Sequence, residues 1–226
     1  NALWAVASAQ RREPVVALSD GTLILWKIQG QHKAVREQIV GEYRQALDRF
    51  RAAGIPVASY LSKPGTQDVV NALRSFVCEG NPIHCRHCEC AHGASRQSLD
   101  LMEVRDALAY DFLQAGERSD IFASQSQILS AYDSHSIEFF YVNVGGEIAR
   151  VEAPQWVMRD AAMLDLLHAV VVDQCRRSPA YPPYPPVLQE AHETAVISGG
   201  ERRVIEAMVE EALQEQGFTV VRGAKD

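Results

Sequence analysis

No stretch of about eighteen apolar residues occurs anywhere in the 226-residue chain, which excludes a membrane-spanning helix. A basic-then-apolar leader is lacking as well, and the first residue is Asn1 rather than methionine. The opening NALWAVASAQRRE instead reads as the last turns of an amphipathic helix with Leu3, Trp4 and Ala7 on one side, so the sequence is expected to begin inside a domain. Basic residues are in deficit, 22 Lys and Arg against 29 Asp and Glu for a net charge of −7, which argues against a general nucleic-acid coating protein. A nuclease whose cations gather in one cleft is still allowed. Cysteines are few, 5 in all, odd in number, and four of them crowd between Cys78 and Cys90; this is no disulfide framework and fits a reducing, cytoplasmic setting. What is present is ordinary for a globular protein, 47% hydrophobic and 23% charged, with enough chain for one large or two small domains.

The most informative apolar stretch is Val15 to Ile28, where two apolar runs flank Ser19-Asp20-Gly21-Thr22. Asp-Gly favours the primed hairpin turns, so the segment predicts two buried strands joined by a tight turn. Asp20 would then emerge from the core at the end of a central strand, either as a rigidly held carboxylate suited to metal chemistry or as a turn former only. Apolar residues Val35, Ile39, Tyr43, Ala46, Leu47 and Phe50 recur at helical spacing over Gln31 to Ala53, and Gly54 and Pro56 stop that helix. Ile55 to Leu61 reads as a strand ending at Ser62-Lys63-Pro64-Gly65, and Thr66 to Val77 as the next helix. Lys63 there could neutralise a phosphate or a carboxylate, or be an ordinary exposed lysine. Strand alternating with helix points to a mixed α/β sheet.

The segment CEGNPIHCRHCECAHG carries Cys78, His84, Cys85, His87, Cys88, Cys90 and His92. Thiolates and imidazoles on a Gly- and Pro-containing loop can converge on one soft or borderline metal, and Cys85-x-x-Cys88 has knuckle spacing. The readings are a structural Zn2+ held by Cys78, Cys85, Cys88 and Cys90, an iron–sulfur cluster, or a solvent-facing loop without metal. A bound metal would pin an insertion, 78–96, that has little core of its own. Cys175, alone on an apolar helix, reads as a small buried side chain.

A helical pattern spans Asp100 to Tyr110, and DIFASQSQILSAY follows with Ser124 and Ser126, hydroxyls suited to phosphate or to closing local backbone. Ile137–Val144, Gly145-Gly146 and Glu147–Ala153 form the clearest hairpin, with Arg150 and Glu152 either paired on a wet sheet face or contributing a catalytic Glu152. Pro154-Gln155-Trp156 ends the sheet, and Asp160 to Arg176 is a mostly buried helix on which His168 reads as a satisfied core histidine. The proline-dense SPAYPPYPP, residues 178–186, is a stiff spacer that launches a helix reading VLQEAHETAVI, placing His192 on or beside its inward face.

The run YPPVLQEAHETAVI, with Tyr184 eight residues before His192, resembles the C-terminal motif of the NurA family, nuclease partners of the HerA DNA-translocating ATPase. The resemblance extends to LSDGTLILW, PVASYLSKPGTQDVVNALR, GERSDIFASQSQIL, FFYVNVGGEIARVEAPQWV and LDLLHAVVVDQC, and is nearest to the bacterial branch with the Cys-rich insertion. It implies an RNase H-like fold of mixed sheet flanked by helices and a single domain over 1–226. The implied activity is a Mn2+- or Mg2+-dependent nuclease with 5′ to 3′ exonuclease and single-strand endonuclease action, working as a dimer docked on a HerA hexamer. Asp20 matches the second of the family's Asp-Gly motifs, a metal-binding carboxylate; Tyr184 and His192 match its active-site tyrosine and histidine; Lys63 matches a lysine at a strand end nearby. The family's first Asp-Gly-Ser strand, with another metal-binding Asp, and its helical Glu have no counterpart in the residues present.

Phosphodiester hydrolysis needs charge neutralised on the phosphoryl oxygens and a hydroxide formed near neutral pH, and carboxylate-held divalent ions supply both. An imidazole in the shell tilts the choice toward manganese. His192 would ligate metal or protonate the leaving oxygen, and Tyr184 would orient the phosphate or stack on a base. Two other readings stand beside this one: a catalytically silent adaptor that regulates or recruits the ATPase, and a zinc-stapled nucleic-acid-binding module.

Overall fold

The computed structural model describes residues 5, 7, 14–77, 104–196 and 199–218, with backbone alone over 74–77. The Cys-rich segment 78–96, with Cys78, Cys85, Cys88 and Cys90, lies outside the described residues. The chain divides into two compact units, Asn1–Leu188 and Gln189–Asp226.

The first unit is built on a five-stranded mixed sheet in the order β1-β2-β5-β4-β3. Strand β1 (Ala17–Asp20) is parallel to β2 (Val57–Leu61), joined through helix α1 (Lys33–Ala52), as a parallel pair requires a crossover. Strands β4 (Ile137–Asn143) and β5 (Ile148–Pro154) form the expected antiparallel hairpin around Gly145, whose φ is 92°. Strand β5 is also antiparallel to β2, and the two-residue β3 (Phe122–Ala123) pairs with β4. Helix α2 (Asp68–Val77) follows β2, and the single-turn α3 (Asp106–Ala109) follows the undescribed stretch. Asp106 is fully buried: its carboxylate accepts from the Val70 amide at 2.9 Å and the Tyr141 hydroxyl at 2.6 Å, tying α3 to α2 and to β4.

After β5 come the short α4 (Gln155–Met158) and the long α5 (Ala161–Arg176), whose N-cap Asp160 accepts from the Met163 amide at 3.0 Å. Leu164, Leu167, Val171 and Cys175 of α5 bury against Ala58, Tyr60, Phe140, Val142 and Val151 of the sheet, forming the largest core cluster. His168 is satisfied as expected, its Nε2 2.9 Å from the Gly116 carbonyl, and burial lowers its pKa. Cys175 is 1% exposed, and burial pushes its thiol up to about 11.

Two expectations are corrected. Residues 15–28 do not form a hairpin: β1 ends at Asp20, Gly21 turns at φ 82°, and the second apolar run becomes a bend and a 3-10 turn at Trp26–Ile28. The reason is tertiary. The Leu23 amide donates to Glu152 Oε2 at 3.0 Å and the Leu25 amide to the Tyr132 hydroxyl at 2.9 Å, so two of the donors a strand would spend on a neighbour are taken by side chains. Leu23 and Ile24 are thereby fixed in a second core cluster with Val40, Ile128, Tyr132 and Ile137. Nor is the sheet face bearing Arg150 and Glu152 wet: the pair forms at 2.9 Å, but the residues are only 1% and 2% exposed. Helix α1 agrees with its predicted span, although its buried side begins at Val40, leaving Val35 and Ile39 exposed.

In the second unit, Gly199–Glu215 forms α7, with no buried residue. Helix α6 (Pro186–Ala195) runs across the boundary between the units. Among the described residues no helix is long and apolar enough to cross a membrane.

Candidate functional site

Asp20 is the last residue of β1, at the C-terminal edge of the parallel pair, where α/β sheets commonly bind ligands. Its backbone is in register with Tyr60 of β2, and the following Gly21 amide extends the ladder to the Tyr60 carbonyl at 3.1 Å. The side chain is exposed, and Oδ1 accepts a 2.8 Å hydrogen bond from the Tyr184 hydroxyl, 164 residues further along.

The proline-dense spacer makes that contact. Residues 177–185 contain no regular element, since proline removes amide donors and fixes φ. Ser178 Oγ accepts from the amides of Ala180 and Tyr184, both at 3.2 Å, closing the loop onto itself. The Tyr184 ring meets Tyr60 edge-on, with centroids 5.5 Å apart. Underneath runs the turn of the β4–β5 hairpin. A Cβ at Gly146 would lie 2.7 Å from Pro183 Cδ and 3.0 Å from the Tyr181 ring, so the spacer can seat there only over a glycine. The Tyr184 phenol is pushed well above its ordinary pKa, first by burial, then by its bond to Asp20 and the negative potential of Asp20, Cys175 and Glu147. It is therefore a neutral donor at physiological pH.

Sequence reasoning missed a second carboxylate. Glu147 Oε1 accepts from the Tyr60 hydroxyl at 3.3 Å and Oε2 from Ser62 Oγ at 3.0 Å. Tyr60 is wholly buried and its hydroxyl also accepts from Cys175 Sγ at 3.8 Å; burial raises its pKa far above the usual value. The signal for Glu147 was its place directly after Gly145-Gly146, which puts it where β5 enters the sheet. Nothing local pairs it with Tyr60.

Lys63 stands two residues past β2, exposed and at φ 46°, in the left-handed region that side chains rarely adopt. His192 is exposed on α6 within the second unit. Ser124 closes local backbone, its Oγ accepting from the Ser126 amide at 3.4 Å. Glu152 has both oxygens engaged inside the fold: Oε2 with Thr22 and Leu23, Oε1 with Arg150.

Among the described residues no group of three or more His, Cys, Asp and Glu side chains could hold a metal ion. The donor chemistry at the β1 terminus fits one ligand of a hard divalent cation: an exposed carboxylate on a strand end, steadied by a neutral phenol. The described residues supply that ligand without completing a shell.

Residues 4–197 match the model of the NurA domain family. The crystal structure of the NurA nuclease from Sulfolobus solfataricus is similar at 13% identity and a TM-score of 0.45, over 94% of this chain and 65% of that one. The chain thus spans less than two thirds of that protein's length. No curated protein matches the sequence.

Proposed function

The chain belongs to the NurA domain family, and on that premise we propose that it is a divalent-metal-dependent DNA nuclease acting on single strands and duplex ends. The observation that carries the reading is the hydrogen bond from Tyr184 to Asp20, because it joins two residues that match the family's Asp-Gly and C-terminal motifs from opposite ends of the chain. In this proposal the sheet is RNase H-like, the preferred ion is Mn2+ with Mg2+ as a substitute, and the setting is cytoplasmic. The protein works as a homodimer with a HerA-type hexameric ATPase in DNA end resection, by 5′ to 3′ exonuclease and single-strand endonuclease action.

Asp20 is the residue that would hold the cation. A divalent cation held there would supply neutralisation of phosphoryl charge and activation of water near neutral pH. The other parts belong to this chain. Tyr184, kept protonated by burial and by Asp20, donates a hydrogen bond: in the resting site to Asp20, and with substrate present to a non-bridging phosphate oxygen, which orients the scissile group. Lys63, exposed on the loop after β2, contributes positive charge toward the phosphate backbone. His192, on α6, is assigned to metal ligation or to protonating the leaving oxygen.

The test is degradation of single-stranded and blunt duplex DNA by the full-length protein with Mn2+, comparing wild type with His192→Ala and Lys63→Ala. Loss of cleavage in His192→Ala and weakened, salt-sensitive cleavage in Lys63→Ala are expected. Wild-type rates in either variant would remove that residue from the site.

A further inference from the structure

The chain crosses the sheet as it leaves β1. Asp20 is in register with Tyr60, while Glu152 of β5 is in register with Ser59; neighbouring residues of a strand face opposite ways, so Asp20 and Glu152 belong to opposite faces. Gly21, at φ 82°, makes the crossing. Beyond it Thr22 Oγ1 donates to Glu152 Oε2 at 2.7 Å and the Leu23 amide donates to the same oxygen at 3.0 Å. The Ile24 amide in turn donates to Thr22 Oγ1 at 3.0 Å. Glu152 Oε1 accepts from Arg150 Nε at 2.9 Å, and Arg150 is itself ion-paired with Asp68 of α2 and stacked 3.6 Å over the Phe139 ring. Burial alone would disfavour the Arg150 charge; Glu152 and Asp68 outweigh it and keep the guanidinium protonated.

We propose that Glu152 is a positioning residue for Asp20: a buried latch that fixes the two residues after the Asp-Gly turn and thereby sets where the Asp20 carboxylate points. This rests on the reading of Asp20 as a cation ligand. A carboxylate that is 2% exposed in the middle of a sheet is a poor choice for stability alone, since an apolar pair of similar volume commonly does as well or better. Its location explains it. Both donors at Oε2 come from the segment within three residues of Asp20, and Arg150 anchors the opposite oxygen to the sheet and to α2. A ligand on a strand end is useful to a metal only if held to a fraction of an ångström, and such outer supports commonly change metal affinity by about 10- to 100-fold.

The experiment is Mn2+ binding to the full-length protein, read from the free-ion signal by electron paramagnetic resonance, together with the Mn2+ concentration giving half-maximal cleavage. Thr22→Val removes the hydroxyl donor with little change of shape; Thr22→Ser restores it. The expected result is an affinity weaker by roughly tenfold in Thr22→Val, an equal rise in half-activating Mn2+, and recovery in Thr22→Ser. Glu152→Gln, which keeps the shape and an accepting oxygen, is expected to weaken binding in the same direction and keeps the test open should Thr22→Val not fold. Wild-type Mn2+ affinity in a folded Thr22→Val or Glu152→Gln, even with a lowered unfolding temperature, overturns the latch and leaves only a structural role. Asp20→Ala separates the two claims. Binding as tight as wild type in that variant overturns the cation reading of Asp20 and the latch with it, whereas lost binding there beside unchanged binding in Thr22→Val overturns the latch alone.

Discussion

The end of β1 is held from two sides, and the two attachments differ in kind. On the α5 face the Tyr184 hydroxyl donates to an exposed carboxylate; on the other face a carboxylate that is 2% exposed gathers a hydroxyl, an amide and a guanidinium. The buried attachment has no other state to adopt, because any lost partner leaves a polar group stranded in low dielectric. The exposed one can exchange partners with water or a ligand at little cost. A rigid anchor behind and an exchangeable contact in front is an arrangement suited to presenting one side chain to an incoming ion.

Breaking the buried side should give the largest effect. Glu152→Ala leaves Arg150 buried with one partner fewer, and about 3–5 kcal/mol of stability should disappear, measured by urea unfolding. Gly146→Ala attacks the exposed side through its support. A methyl group 2.7 Å from Pro183 forces the spacer to shift, at about 1–3 kcal/mol, and cleavage should fall with it as Tyr184 is displaced. Tyr184→Phe sharpens the comparison further: stability should change by about 1 kcal/mol or less, while cleavage falls roughly 10- to 100-fold. An equal loss on both measures would make Tyr184 a packing residue.

Alkaline pH loosens both sides at once. Burial is the largest cause raising the phenols of Tyr43, Tyr60, Tyr132, Tyr141 and Tyr184; Tyr132, although the Leu25 amide pulls it the other way, is pushed up to about 12 from an unfolded value of 10.0. Protonated phenols therefore stabilise the fold in full below pH 10 or so, and that contribution is lost as pH rises through the folded values. Unfolding midpoints should be flat with respect to these groups at neutral pH and fall steadily above pH 10. The smallest effect is chemical. Cys175, 1% exposed with a thiol raised to about 11, should resist alkylation in the native protein and react only on unfolding.

Local pattern was enough for those elements whose hydrogen bonds are local. The Gly145-Gly146 hairpin, the helix after Asp160 and the irregular proline spacer all stand where the sequence placed them. Thr22 to Ile28 misled because its composition is that of a strand while its donors are taken by Glu152 and Tyr132, more than 100 residues away. No window of sequence contains that information. The same holds at the site. Family motifs, not spacing, gather Asp20, Tyr184, His192 and Lys63 into one expected site, of which the hydrogen bond joins the first two; Glu147 is invisible to spacing because only the folded chain sets it under Tyr60 and Ser62. Of the two readings for Arg150 and Glu152, a pair on a wet face or a catalytic Glu152, the pair forms but the face is buried, since alternation along β5 cannot reveal that α2 and the Thr22 segment cover it.

The central claim, that Asp20 is the carboxylate on which chemistry depends, is tested most directly by Mn2+-dependent cleavage of single-stranded DNA by the full-length Asp20→Asn variant. Asparagine keeps an oxygen able to accept from Tyr184, so the account predicts an unfolding free energy within about 1 kcal/mol of wild type and cleavage reduced to background. A folded Asp20→Asn protein that cuts at the wild-type rate would contradict it.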